Sequence, residues 1–250
     1  MLRVKETYDK TYFSGGPERP GSDVCRKYDM HWWAFRYYAR LAQKYCRAGT
    51  VLELGCAHGF LLGFFPRDKY ELIGKDLSGY ALSIARKNNP GAVLYQGSVE
   101  QLAEIASASV DVVVAKYVLE HVAHPEKTIG ECSRVLKPGG TMIFAVPNTS
   151  SLLRGAKGVQ WIGSRDETHC SVLTPGEWMS ILAANGFTTE KAFSDGFWDV
   201  PYMKFVPGFL QLAILGWPTI LQTLFVGRWI PIRLGENLIV VARRRASATL

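Results

Sequence analysis

Cysteine is sparse and unpaired in this chain. Cys25, Cys46, Cys56, Cys132 and Cys170 are odd in number, far apart and without a C-x-x-C pair, which argues against a disulfide framework or a structural zinc site and for a reducing interior. The first residues carry Lys5, Glu6, Asp9 and Lys10 but no apolar core and no small-residue cleavage site, so no secretory leader is read there and a cytoplasmic location is expected. No Walker-type G-K-[ST] follows a glycine loop, and the one glycine turn that follows an apolar run lacks the G-x-G-x-x-G spacing of a pyrophosphate-bound dinucleotide. Glycine and proline show no short period, which excludes collagen-like arrays and solenoids. Acid is scarcer than base: 22 Asp and Glu against 29 Lys and Arg leave a formal charge of +7, suited to an acidic partner or an anionic surface without choosing between them.

What is present describes one globular domain. With 250 residues, 48% apolar and 20% charged, the chain is long enough to bury about three quarters of its unfolded surface. From Thr50 onward, short β-branched runs alternate with stretches of helical period, the pattern of a doubly wound, mostly parallel α/β sheet. The runs are Val51–Leu54, Leu72–Lys75, Val93–Gln96, Val110–Ala115 and Thr141–Val146, all read as central strands covered on both faces, and Phe187–Ala192 and Leu238–Ala242 bring the count to seven. Ser78 is placed to cap a helix ending at Asn88-Asn89-Pro90-Gly91. Ahead of the sheet, Asp23–Cys46 reads as a helix with Phe35, Tyr38, Ala42 and Tyr45 on one stripe, part of an N-terminal lid over residues 1–48. Residues 49–250 form the main domain, with an apolar insertion at 203–232.

The most informative stretch is Val51-Leu52-Glu53-Leu54-Gly55-Cys56-Ala57-His58-Gly59, a buried strand that ends near a carboxylate and turns through small residues into an expected helix whose first N–H groups face a ligand. The second strand ends in Asp76, 21 residues beyond Gly55, where a carboxylate can accept bonds from both ribose hydroxyls of a nucleoside; the alternative is a helix cap. Gly97-Ser98-Val99-Glu100 follows the third strand, where an adenine edge would lie, with a Ser98/Gln101 capping box as a compatible second reading.

Together with VDVVVAKYVLEHVAHPEKTIGECSRVLKPGG at Val110 to Gly140, these motifs resemble class I, seven-stranded S-adenosylmethionine-dependent methyltransferases, close to the ubiquinone and menaquinone biosynthesis group. The resemblance covers Thr50 to Val146 strongly and the rest weakly. It implies a Rossmann-like fold and S-adenosyl-L-methionine as cofactor. Glu53, Gly55, Cys56, Ala57 and Gly59 would cradle its methionine half and Asp76 its ribose; Leu77, Ser98 and Val99 would flank the adenine, with Lys116 beside the cofactor. Ala57 stands where a middle glycine is commoner, and Ser98 where many relatives carry Asp, so a charged bond to the adenine amino group is lost.

The expected reaction is methyl transfer by in-line displacement to a small, lipophilic acceptor, with O-methylation favoured. Positioning carries most of such a reaction, and a general base helps if the acceptor is a hydroxyl. Of five histidines, His58 shapes the glycine loop and His124 reads as a surface turn residue. His169, in Asp166-Glu167-Thr168-His169-Cys170, is the first choice of base; His121, in Leu119-Glu120-His121-Val122, is the second, and each has a structural role as its alternative. Tyr117 could turn its ring face to the sulfonium or simply pack. Some similar quinone O-methyltransferases bind a divalent metal through Glu residues and the histidine of the E-H pair. Here Tyr117 occupies the first Glu position, leaving Glu120 and His121, so no catalytic metal is expected.

Phe205 to Gly227 is uncharged, flanked by Lys204 and Arg228. If the last two strands pair in one sheet, this segment must return to the side it left, and Gly216-Trp217-Pro218 breaks it into two short helices starting near Pro207 and Pro218. Its expected roles are peripheral membrane contact through 205–227, cover for an apolar acceptor, or burial in the core or a homodimer contact. Two other functions remain open: an RNA or other nucleic-acid methyltransferase, disfavoured because Ala115-Lys116-Tyr117-Val118 replaces the Asn/Asp/Ser-Pro-Pro-aromatic motif, and a cofactor-binding module without activity.

Overall fold

A computed structural model describes residues 27–246 of the chain. Seven strands form one sheet: β1 (Gly49–Leu54), β2 (Tyr70–Asp76), β3 (Val93–Gln96), β4 (Val110–Lys116), β5 (Leu136–Pro147), β6 (Phe187–Ser194) and β7 (Asn237–Arg244). Their order is β3-β2-β1-β4-β5-β7-β6. The first five are parallel, and β7 runs antiparallel to both β5 and β6. The helices are α1 (Met30–Tyr45), α2 (Gly79–Asn88), α3 (Pro125–Val135), α4 (Pro175–Ala184), α5 (Gly208–Leu215) and α6 (Trp217–Phe225), with a single helical turn at Arg154–Lys157.

Side-chain alternation along the central strands builds two cores, one on each face. Val112 and Val114 of β4 pack with Tyr38, Leu41 and Ala42 of α1, whereas Val113 and Ala115 join Ile129 and Cys132 of α3 and Trp178 and Leu182 of α4. Trp178 and Leu182 are fully buried, each contributing roughly 1.5–3 kcal/mol through transfer from water. Local capping agrees with the chain's polar punctuation: Ser78 Oγ accepts from Ala81 N at 3.1 Å, Asp29 caps α1 through Trp32 N, and Thr174 with Glu177 forms a capping box at α4.

Several expectations change. β3 is an edge strand, with Val93 47% exposed, because four residues that pair only with β2 have no second neighbour. Helix α1 starts at Met30, where the Asp29 side chain supplies the cap; residues 23–26 of the expected helix lie outside the described residues, as does Cys25. Its buried stripe contains Tyr38 and Ala42 as expected but also Tyr37, Ala39 and Leu41, while Phe35 and Tyr45 are half-buried. Ser98 and Gln101 form no capping box: no helix follows, and Ser98 Oγ accepts from Glu100 N at 3.2 Å. The glycine turn after β1 leads only into a three-residue helical turn, Leu62–Phe64, because Gly63 and Pro66 leave too little chain for a helix.

Candidate active site

Parallel strands deliver their carboxyl ends to one edge of the sheet, and the polar residues collect there. Gly55 (φ +62°), Ala57 (φ +43°) and Gly59 (φ +71°) turn the chain through the left-handed region. A Cβ on Gly55 would stand 2.4 Å from Val118 Cγ2, and one on Gly59 2.5 Å from Asn89 Nδ2, so the spacing of glycines records close packing on both sides. Ala57 holds the same backbone region with a methyl group, fixed by its N–H donating to Asp76 Oδ2 at 2.8 Å. The N–H groups of Gly55 and Cys56 both donate to the Lys75 carbonyl, at 2.8 and 3.2 Å. The loop therefore offers a ligand shape and carboxylates rather than a row of unpaired amides. Cys56 itself is buried against β2, where a Cβ at Gly74 would meet its Sγ at 2.7 Å.

Asp76 clasps this turn. Its Oδ1 accepts from Ser78 N and its Oδ2 from Ala57 N, each at 2.8 Å, while Ser78, not Asp76, caps α2. Each oxygen keeps a further lone pair. Burial raises the Asp76 carboxyl above the usual aspartate value, opposed by those backbone bonds. Glu53, 4% exposed, has Oε2 without a hydrogen-bond partner. Burial first, and Asp76 second, push its carboxyl well up, while Lys116 pulls the other way. An unpartnered buried carboxylate oxygen calls for a donor or a cation.

The adenine-side residues are less convergent. The Leu77 carbonyl accepts from Gln96 Nε2 at 3.2 Å, Ser98 is half-buried, and Val99 packs into the core beside Leu102. Lys116 ends β4 with its ammonium 4.0 Å from the Tyr117 ring centroid, 5.1 Å from Phe35 and 6.0 Å from Tyr38. Burial lowers its pKa to about 8 against the opposing pull of Glu53, Glu120 and Asp195. The Tyr117 ring thus meets a cation belonging to the chain itself.

A second cluster forms where the loop after β5 returns to the end of β4. The Glu120 carbonyl accepts from Cys170 N and Ser171 N, both at 2.9 Å, which brings the rings of His121 and His169 to 4.6 Å between centroids. The Thr168 hydroxyl donates its single proton to Asp166 Oδ1 at 2.6 Å, so the 2.9 Å contact between Thr168 Oγ1 and His121 Nδ1 carries its proton on the histidine. His169 Nδ1 faces the Gly163 carbonyl at 3.2 Å and must donate as well. In the neutral form both histidines therefore carry the basic lone pair on Nε2. Glu120, 1% exposed, has Oε2 without a hydrogen-bond partner, and burial pushes its carboxyl up to about 8. Glu120, His121 and His169 each offer one donor atom, all within 4.8 Å of one another. A cation there would have to displace the proton Glu120 holds at neutral pH. The third donor, His169, was absent from the sequence-based count.

Sequence reasoning missed a polar network across the sheet edge. Asp195, after β6, accepts from Asn237 N (2.9 Å), Asn237 Nδ2 (2.6 Å) and Trp198 Nε1 (2.7 Å), and Asn237 Nδ2 also donates to the Tyr117 hydroxyl at 2.9 Å. Burial raises Asp195 to about 6. Next to it, Tyr202 donates to Glu236 Oε1 at 2.5 Å. The available signal was a carboxylate at each end of the β6–β7 connection, Asp195 and Glu236.

The residues at the β1 and β2 ends fit an adenosyl sulfonium: Asp76 has lone pairs for two ribose hydroxyls, and Glu53 has an oxygen awaiting a cationic amine. Comparisons with known proteins agree with that geometry. A family model described as a methyltransferase domain matches residues 27–192. A protein of Mycolicibacterium smegmatis named a probable S-adenosylmethionine-dependent methyltransferase is 29% identical over 165 residues, 65% of this chain and 62% of that protein. A ubiquinone biosynthesis O-methyltransferase of Nitrosococcus oceani is 36% identical over 117 residues, 45% of this chain and 48% of that one. These alignments span 48% and 62% of the relatives' length. Among solved structures, an S-adenosylmethionine-dependent methyltransferase of Archaeoglobus fulgidus superposes with a TM-score of 0.59 at 16% identity, covering 85% of this chain and 94% of that one. The [4+2]-cyclase SpnF superposes at 0.57 and 18% identity, covering 85% and 81%. At such identities these neighbours establish the Rossmann-like fold alone.

Proposed function

Because the chain belongs to the methyltransferase domain family, we propose that it binds S-adenosyl-L-methionine and transfers the methyl group to a small apolar acceptor, at an oxygen. The observation that carries this reading is the buried, unpartnered Glu53 Oε2 beside Asp76 at adjoining strand ends. When bound, the cofactor supplies an electrophilic methyl group on sulfur. Glu53 would hold its ammonium group and Asp76 its ribose hydroxyls, and the turn from Gly55 to Gly59 would fit against it. The aromatic residues Phe35, Tyr38 and Tyr117 around Lys116 exclude water from the same edge of the sheet.

His169 Nε2 would take the acceptor's hydroxyl proton, with His121 at its side oriented by Thr168 and Asp166. Both imidazoles are fixed through Nδ1, as a base that must present Nε2 requires. The oxygen acceptor is supported by the named activity of ubiquinone relatives and by this histidine pair. We propose no role for a metal.

Calorimetry with S-adenosylhomocysteine tests the reading directly. Micromolar binding is expected, weakened at least about tenfold in Asp76→Ala and in Glu53→Gln, as the loss of charge-assisted bonds requires. Absence of binding by the folded wild type would overturn it and favour a module that keeps the fold without the cofactor.

A further inference from the structure

The β6–β7 connection is built inside out. Helix α5 reads GFLQLAIL and α6 reads WPTILQTLF, yet the buried residue of each is its glutamine. Gln211 accepts from Tyr202 N (2.6 Å) and Met203 N (3.0 Å) and donates to the carbonyls of Met203 (2.8 Å) and Val206 (2.6 Å). Gln222 donates to Ser194 O (2.7 Å) and accepts from Trp229 N and Ile230 N (both 3.1 Å). Meanwhile Phe205 is 98% exposed, Phe209 72%, Ile214 64%, Trp217 57%, Phe225 70% and Trp229 53%. A water-facing helix pair places these two kinds of residue the other way round. The arrangement is that of a segment whose surroundings are apolar, with the amides of its two glutamines satisfied internally.

Length and charge decide what surrounds it. Among the described residues no single helix is long and apolar enough to cross a bilayer, and α5 with α6 reaches that length only as a pair bent by 53°. Both ends of the connection return to the same edge of the sheet, since Ser194 pairs with Leu238. A shallow, in-plane position follows rather than a crossing. From Val200 to Gly235 the chain holds Lys204, Arg228 and Arg233 and no acidic residue, with Lys204 and Arg233 exposed. In a two-fold contact between copies the same patch meets itself, setting these bases against their own kind. Residues 1–26 interleave nine charged residues with eight apolar ones, a poor cover for such a patch. An anionic lipid surface matches both the apolar face and the basic rim.

We propose that the connection carrying α5 and α6 docks this protein on anionic membranes, with α5 and α6 lying in the lipid interface. The hairpin is bolted to α1: Tyr37 donates to Gly227 O (2.8 Å), Lys44 to Val226 O (2.7 Å), and Arg228 hydrogen-bonds the Tyr45 hydroxyl. Helix α1 in turn lays Phe35 against Phe60 and over Lys116. Resting on the transfer reading above, docking brings the crevice to the phase in which an apolar acceptor dissolves.

The test is sedimentation of the full chain with vesicles of phosphatidylcholine alone and of phosphatidylcholine mixed with phosphatidylglycerol. Binding to the mixed vesicles is expected, with a blue shift of tryptophan emission from Trp217 and Trp229. The variant Phe209→Ser/Ile214→Ser/Phe225→Ser should lower the partition coefficient at least about tenfold. Lys204→Glu/Arg233→Glu should lower it several-fold, in a manner that salt mimics for the wild type. S-adenosylhomocysteine affinity should stay unchanged in both, so failure of docking and failure of the cofactor reading are separable. Absence of sedimentation, or sedimentation indifferent to the apolar variant, would overturn the proposal. So would a dimer that the apolar variant dissolves, or slow hydrogen exchange in residues 1–26 that it abolishes, because either would name a different cover.

Discussion

The crevice edge and the β6–β7 hairpin solve opposite problems. At the crevice, carboxylates sit inside an apolar shell, and three of them, Glu53, Glu120 and Glu236, keep an oxygen without a hydrogen-bond partner. In the hairpin, glutamines sit inside with every side-chain atom bonded, and apolar side chains face outward. A polar group left short of partners is costly, so it persists where something else completes it. An apolar group left in water costs less per residue, but a contiguous patch of them marks a surface that meets a partner. The first region is thus shaped for a small polar ligand and the second for an extended apolar phase.

The contrast can be broken or sharpened by substitution. The largest effect is expected at the proposed base: His169→Ala should lower the methylation rate by about 10²–10³-fold in steady-state assays while leaving S-adenosylhomocysteine affinity unchanged. Next comes the hairpin interior. Gln222→Leu, which looks conservative in an apolar helix, removes partners from Ser194 O, Trp229 N and Ile230 N, and urea denaturation should show a loss of about 3 kcal/mol. The crevice side has a titration counterpart. Asp195 is raised from 3.8 to about 6, mainly by burial, so the folded state holds its proton more tightly than the unfolded chain. Its favourable contribution is complete below about pH 4 and is lost as pH rises through about 6. Asp195→Asn should flatten the Tm profile across that window, a difference of up to about 3 kcal/mol. Phe209→Ser should change folding stability by less than about 0.5 kcal/mol, because its ring is already in solvent. Treatment with EDTA should leave turnover unaltered, as expected if the two histidines handle a proton rather than hold a metal.

The two regions also differ in how far they could be read from the chain. All seven strands and the turn at Gly55–Gly59 were legible, the central parallel strands because a buried parallel strand is a continuous apolar run and the turn because the exit of such a strand demands small residues at fixed places. The return of the hairpin followed from strand pairing, and Pro207 and Pro218 stand at the two helix starts as expected. Which strand lies at the edge was not legible, since Val93–Gln96 is as apolar as a central strand and its missing neighbour is a fact of topology. Nor was the Asp195–Asn237–Tyr117 link, formed by residues far apart in sequence that meet only when β7 inserts beside β5. His169 could be singled out by type, but its pairing with His121 depends on the Glu120 carbonyl holding the returning loop. The burial of Gln211 and Gln222 was invisible to hydropathy, which assigns each residue a preference and takes no account of which side of a helix is wet.

Because β6 and β7 are antiparallel neighbours joined at one end, the whole insertion hangs from two adjacent points, Ser194 and Asn237, and the five parallel strands never pass through it. One of those points, Asn237, also grips Tyr117. A tug on the hairpin is therefore delivered to the ends of β6 and β7 and, through Asn237, to the aromatic wall around Lys116.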